Sequence, residues 1–384
     1  MDCTIPSHNV RTFCAAIASM SKMGGKDLYV EFDPLEGLVL RTLNDAKSAF
    51  CSFTYQPSFF ERCSAPPLLQ QQRRQRKNKN NKNTNNKRKS SSSRTRSTVS
   101  STADDEDDED DEDEVYKCRI PLKAMAAVTK SRKGVSSLRI RNETSTNPQH
   151  QMFLLTFEFH MEHKGNRLRV VHRLGVEDAD GVRAVADDEN ASEIVALPKF
   201  LLRMMEPLKK SEEVAFIVND KAKLVTMASF HHHQYVGEAS AATTDGAGNN
   251  AVLQSKSATL LKTETSVGAD EFDEFHFVED RKVKNATSSA KNDSALPSNV
   301  NEEVTLVCSL REPKALLQFF DTGTDDDVRV SLHFHWGGKP LILQTKTPTF
   351  CGELVMATLD YKLLRRGGGD GDHNQQRGHQ GHQQ

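Results

Sequence analysis

The sequence predicts an α+β protein of two tandem domains, each built on antiparallel β-sheet with two short helices and interrupted by polar insertions. Three observations lead there. Short runs that alternate polar with apolar residues, or that are rich in β-branched and aromatic ones, recur along the chain at strand length. Only four segments carry the 3.6-residue apolar period of a helix. Both patterns concentrate in two blocks of comparable size, and 384 residues at roughly 150 per domain suit two domains with length to spare.

The first block spans 1–175 and opens on a helical segment, HNVRTFCAAIASMSK. There Val10, Phe13, Cys14, Ile17 and Met20 recur at spacings of 3 and 4 and share one face, while Arg11, Ala15, Ala18 and Lys22 share another. Strand-like runs follow: DLYVEF, LVLRTL, SAFCSFTY, VYKCRI, SSLRIR, FLLTFEFHM and LRVVHRL. An acidic stretch, GVEDADGVRAVADDENAS, reads as a connector over 176–194. The second block, 195–365, repeats the scheme with EVAFIV, KLVTMASFHHH, TLLKTET, EFHFVE, VTLVCSL, VRVSLHFHW and PLILQT.

The three remaining helices share an entry signal, a proline closely followed by a lysine: Pro121 and Lys123, Pro198 and Lys199, Pro313 and Lys314. Proline at the first helical position gives up no intrahelical hydrogen bond. In PLKAMAAVTKSRK the spacing puts Lys123, Ala127 and Lys130 on one face, opposite Met125. In PKFLLRMMEPL it stacks Lys199 on Arg203 and turns Phe200, Leu201, Met204, Met205 and Leu208 inward. Lysines on a helix ordinarily mark its solvated side. Their repetition beside small residues, on helices that cap sheets, suggests instead a surface that meets a phosphate backbone without reading bases. Contact of that kind is salt-dependent and indifferent to sequence.

Composition is 36% hydrophobic and 7% aromatic, a mean diluted by polar tracts. The largest tract, 65–114, has no aliphatic pattern able to offset chain entropy and is expected to be a disordered insertion. It holds eleven Lys and Arg within 73–96 and then eleven consecutive acids over 104–114, a charge separation hidden by the formal net charge of -2. A solvated loop is one reading, since long loops cost little extra closure entropy. The other is a nuclear-import signal joined to an acidophilic kinase target at Ser101 and Thr102, each followed three residues on by an aspartate. Smaller loop insertions are expected at 237–257 and 284–300, and a disordered tail at 366–384.

Seven cysteines without a C-x-x-C pair, and no charged-then-apolar leader, point to a reducing compartment. No stretch approaches the roughly 20 apolar residues of a membrane span, so a soluble protein without a membrane partner is expected. Fourteen histidines invite a metal reading, above all His231, His232, His233 and the same-face pair His333 and His335. A site needs ligands converging from several elements, however, and consecutive strand histidines point to opposite faces, so no metal and no cofactor is expected. No phosphate-cradling G-x-x-x-x-G-K-[ST] and no G-x-S-x-G elbow occurs. Two other classes stay open: an acidic-patch chaperone or binding module for histones and basic proteins using 104–114, and a metal-dependent nuclease whose carboxylates converge only in three dimensions.

The stretch DLYVEFDPLEGLVLRTLNDAKSAFCSFTYQPSFFE breaks an apolar strand with a polar run and then resumes it. It resembles the corresponding segment of the DNA sliding-clamp fold, and more closely the Rad-nine subunit family of the nine-one-one DNA-damage checkpoint clamp. The match lies in Leu40-Arg41-Thr42-Leu43-Asn44, Ser48-Ala49 and the paired Phe59-Phe60. Near the other end, VRVSLHFHWGGKPLILQTKTPTFCGELVMATL is similar to the family's last strands through Ser331-Leu332-His333-Phe334, Lys339-Pro340 and Ala357-Thr358-Leu359. The first helix fits as well. Two departures are the insertion at 65–114 and a short polar tail, which puts the usual tail-mediated docking of a checkpoint activator in question.

The resemblance implies two clamp (PCNA-like) domains forming one third of a hetero-oligomeric ring with two other clamp subunits, opened by a clamp loader and active in the nucleus. Arg11, Lys22, Lys123, Lys130, Lys199, Arg203 and Lys314 would then face double-stranded DNA, without sequence preference. Repair and checkpoint proteins would dock on an outer groove that includes Leu43, Lys47, Pro340 and Leu341, although Leu43 and Leu341 also suit a core. On this reading the chain has no catalytic residues.

Overall fold

The computed structural model describes residues 1–33, 35–64, 115–130, 134–144, 153–163, 165–185, 190–230, 262–278, 303–324 and 328–360. The expected insertions at 65–114, 237–257 and 284–300, with the tail at 366–384, lie outside the described residues. So do the histidines at 231–233 and the candidate phosphorylation sites Ser101 and Thr102. The chain divides into two units: Met1–Ala184 with Thr322–Asp326 and Thr345–Glu353, and Val185–Asp321 with Asp327–Gln344 and Leu354–Gln384.

In the first unit β1 (Asp2–Pro6) runs directly into α1 (Ser7–Lys22). The predicted apolar face of α1 is the buried one: Val10, Phe13, Cys14, Ile17 and Met20 are all inside. Alternating strands follow, β2 (Asp27–Asp33), β3 (Gly37–Leu43), β4 (Ala49–Tyr55), β5 (Arg62–Ser64) and β6 (Tyr116–Pro121). The second helix, α2 (Leu122–Val128), packs beside α1, and β7 (Val135–Thr144), β8 (Phe153–His163) and β9 (Asn166–Gly175) complete the unit. Two antiparallel arrays result, in the orders β4-β3-β2-β6 and β5-β1-β7-β8-β9. Leu28, Val30, Phe32, Leu38, Leu40 and Phe53 from the first array are buried, as are Ile5, Leu138, Ile140, Phe157 and Phe159 from the second. Burying each such side chain contributes roughly 1.5–3 kcal/mol, so alternation along the strands is enough to fix which face turns inward.

The second unit repeats this plan. β10 (Ser192–Ala196) leads to α3 (Pro198–Met205), followed by β11 (Glu213–Asn219), β12 (Leu224–Phe230), β13 (Glu264–Gly268) and β14 (Glu274–His276). Then come β15 (Glu303–Ser309), α4 (Arg311–Thr322), β16 (Val330–Phe334), β17 (Leu341–Lys346), β18 (Phe350–Met356) and β19 (Leu359–Asp360). Its arrays run β14-β10-β16-β17 and β13-β12-β11-β15-β19. Phe216 of β11 meets Phe334 of β16 edge to face at 5.7 Å, so an aromatic pair joins the two sheets.

The cysteines depart from expectation. Cys3 and Cys63, directly opposite in the β1–β5 pair with Cα atoms 4.1 Å apart, form a disulfide. Sequence spacing gave no hint, because the partner across a ladder is set by topology and here lies 60 residues away. Cys14, Cys51, Cys118 and Cys308 are buried thiols and Cys351 is half-buried. Burial pushes Cys308 up to about 12 and Cys118 up to about 11. The thiolate is the reactive form, and at pH 8 a thiol of pKa 12 is ionised only on the order of one part in ten thousand. Alkylation of the native protein at that pH, read by peptide mass spectrometry, is therefore expected to modify Cys351 first and to spare the buried thiols until the chain unfolds. Early labelling of Cys51 or Cys308 would show that these strands open.

Candidate nucleic-acid interface

The helix faces singled out by their lysines can now be placed. On α1, Arg11, Ala18 and Lys22 are exposed with Ala15 half-buried between them, so the small-and-basic face looks outward. The Arg11 guanidinium donates through Nη2 to the Thr322 carbonyl oxygen at 2.7 Å, within the same unit. On the neighbouring α2, Lys123 and Ala127 are exposed while Leu122, Met125 and Val128 are buried. α1 and α2 pack side by side, and each exposes basic and small residues. On α3, Lys199 and Arg203 are exposed, one turn apart, above buried Leu201, Met204 and Met205.

Three assignments change. Lys130 is exposed but lies beyond α2, which ends at Val128 with Thr129 as its cap, the Thr129 hydroxyl donating to the Met125 carbonyl at 2.9 Å. Lys314 is half-buried on α4, between the buried Pro313 and Ala315, and α4 begins at Arg311, two residues before Pro313. Pro121 likewise stands just before α2 as the last residue of β6, and of the three prolines only Pro198 opens its helix. Sequence reasoning also passed over Lys26, Lys209, Lys210 and Arg311, all exposed at or just after helix ends. The doublet in EPLKK was a signal that a strict helical period discards.

The polar break after β3 is a hairpin turn built by Asn44. Its side-chain Oδ1 accepts from the backbone N–H of Ser48 (2.8 Å) and of Ala49 (3.0 Å), and its backbone N–H donates to the Ala49 carbonyl at 2.9 Å. Lys47 takes a left-handed conformation at φ 55° so that its N–H can reach the Asn44 carbonyl at 2.9 Å. The Thr42 hydroxyl ties the strand to the Asp27 carbonyl (2.8 Å), and Arg41 pairs with the buried Glu31. Thus L-R-T-x-N followed by S-A encodes a turn and its anchors, not a catalytic group.

Of the proposed groove residues, Leu43 is half-buried and Lys47 exposed on the first unit. Pro340 is half-buried and Leu341 only 4% exposed on the second, so Leu341 offers a partner almost no surface and belongs to the core. The start of the connector is pinned to the first unit. Arg119 and Glu177 exchange both backbone hydrogen bonds (2.7 and 3.1 Å) and pair through their side chains. Gly181 lies over the Arg41–Glu31 pair, where a Cβ would stand 3.0 Å from the guanidinium.

Among the described residues no group of three His, Cys, Asp or Glu side chains is placed to hold a metal ion. His333 faces Glu193 across the β10–β16 ladder at 3.8 Å, and His335 sits edge-on to Trp336 at 5.5 Å. The acid run at 104–114, on which a chaperone reading depends, lies outside the described residues.

Two helix-capped, two-sheet units in tandem define a chain of the PCNA-like sliding-clamp class. It is similar in structure to the PCNA2–PCNA3 complex of Sulfolobus tokodaii (TM-score 0.54, 9% identity, covering 93% of this chain and 99% of that one). It is also similar to PCNA of Thermococcus kodakaraensis (0.53, 12% identity, 93% and 99%) and to the A. fulgidus PCNA bound by the C-terminal region of FEN-1 (0.51, 11% identity, 93% and 97%). Within that class the sequence matches the Rad9 family over residues 13–359, and the chain belongs to that family.

Proposed function

We propose that this chain is one subunit of a hetero-oligomeric ring that encircles double-stranded DNA as a checkpoint sliding clamp in the DNA-damage response. It performs no chemistry itself; it holds repair and checkpoint proteins on DNA, in the nucleus, after a clamp loader has placed the ring. The observation that carries this reading is the Rad9 family match across 13–359. The exposed basic residues of α1, α2 and α3 support it, flanked by alanine on α1 and α2, since such faces suit phosphates and offer little to base edges. A hetero-oligomer is favoured over a ring of identical chains because the family matched is the checkpoint one. The similar Sulfolobus structure is itself a complex of two different clamp chains.

Assembly tests it. The tagged chain purified from its own cells is expected to bring down two further clamp-fold chains in equal amount, and the chain alone to remain smaller than a trimer by light scattering. A stable closed trimer of this chain by itself would overturn the proposal.

A further inference from the structure

One charged surface is not used by the clamp reading. In the β5-β1-β7-β8-β9 sheet, Leu138, Ile140, Phe157 and Phe159 are buried on one side. Alternation sends their neighbours to the other side, which carries Arg139 and Arg141 on β7 and Arg167, Arg169 and Arg173 on β9. The register adds Arg62, opposite Thr4 on β5, as Arg139 is on β7. Every cation of lysine or arginine type in these five strands is an arginine. Four carboxylates share the face, those of Asp2, Glu143, Glu158 and Glu162, so six guanidiniums outnumber them.

Of these acids Glu158 is buried, Asp2 and Glu143 are half-buried and Glu162 is exposed. Glu158, with its side chain 5% exposed, takes Arg169 at 2.6 Å and Arg141 at 3.8 Å, whereas the Arg169 side chain is 55% exposed. Glu143 takes Arg141 at 2.7 Å and Arg173 at 3.2 Å and accepts the Thr156 hydroxyl at 2.9 Å. Each guanidinium has five N–H donors and commits few of them to these contacts. The Arg141 Nε is buried without a hydrogen-bond partner, and Arg167 is exposed with no ion pair among the described residues. Asp2, Glu143 and Glu158 thus hold a group of arginines, of which Arg169 and Arg173 stand exposed beside Arg167.

We infer that this arginine face seats the chain's own acid run, residues 104–114. Along β9 Arg167 and Arg169 stand one two-residue repeat apart, about 6.8 Å, and Arg173 two repeats further on, past Val171; an unbroken run of acids presents a carboxylate at each such step whichever way it turns. Planar guanidiniums match carboxylates two bonds at a time, which a lysine row would not. The run is tethered to the same unit: it ends two residues before β6, and Arg119 of β6 is bridged antiparallel to Glu177, four residues past Arg173. A segment tethered in the same chain acts at an effective concentration set by its linker and not by the bulk. The face is thereby masked from other anions in the resting chain, and more negative charge just upstream, at Ser101 or Thr102, strengthens the seat.

Arginine-directed modification of the full chain tests this. Phenylglyoxal rates are read by mass spectrometry for the native protein and for a variant with every acid of 104–114 replaced by Asn or Gln, after a high-salt wash and nuclease treatment. Arg167, Arg169 and Arg173 are expected to react at least about threefold more slowly in the native chain, the difference vanishing in about 0.5 M salt, with Arg203 equal in both. Equal rates at the three arginines overturn the proposal. Protection at Arg11 instead places the acid run on the helix face and equally overturns it. Protection that persists in the neutralised variant and disappears only on nuclease treatment makes nucleic acid the occupant and overturns it too.

Discussion

Reversing Lys22, Lys123, Lys199 and Arg203 to glutamate together is expected to cut retention of the assembled clamp on DNA on the order of a hundredfold at physiological salt. All four stand exposed on the helices that carry the basic faces. Removing a phosphate contact should lower the slope of log affinity against log salt by roughly one, with no change in sequence preference. Surface substitutions of this kind usually alter stability by about 0.5 kcal/mol or less, so the ring should still assemble. Four reversals among the basic residues of 73–96 serve as control. Undiminished retention by the helix variant, with weakened retention in the control, would make the helix faces merely solvated sides. Lys130 and Lys314 are left out deliberately: one lies beyond its helix and the other is half-buried.

Phe59→Ala is expected to cost about 3–5 kcal/mol, enough to lower the melting midpoint by roughly ten degrees. The ring is fully buried, 4.5 Å from that of Tyr55 and 5.4 Å from that of Phe60, and Phe13 packs on Tyr55 from α1 at 5.4 Å. The Phe59 carbonyl also accepts from the Asn9 amide at 2.7 Å, so the residue ties a 3₁₀ turn to the first helix. Removing the ring leaves an aromatic-sized void under a Tyr55 hydroxyl that already lacks a partner. Phe59→Leu, which keeps most of the volume, should cost much less. A change below about 1 kcal/mol on denaturant unfolding of the alanine variant would contradict this account of the aromatic cluster.

Strand order and helix faces were legible because period and alternation report burial directly: the residues predicted to line the apolar side of α1 are the ones inside. Helix limits were less so. The spacing of Lys123, Ala127 and Lys130 carries a helical face to 130, whereas α2 ends at Val128. The Cys3–Cys63 bond and the β9 arginines escaped for a different reason. Both depend on which strand lies beside which, and Arg141, Glu158 and Arg169 look like scattered charges until the register of β7, β8 and β9 brings them together. The polar break at 44–48 was legible as an interruption of the strand, but the hydrogen bonds through which Asn44 builds its turn were not.

β5 pairs only with β1 among the described strands, at the margin of its sheet, and the next described strand, β6, belongs to the other array. Among the described strands no ladder therefore joins β5 to β6. Changing the length of the chain between β5 and β6 is expected to leave every described strand register as it is, and a foreign domain spliced there would meet the same tolerance. The charge-rich insertion marks a permissive seam in the architecture, where new sequence enters without asking the fold to change.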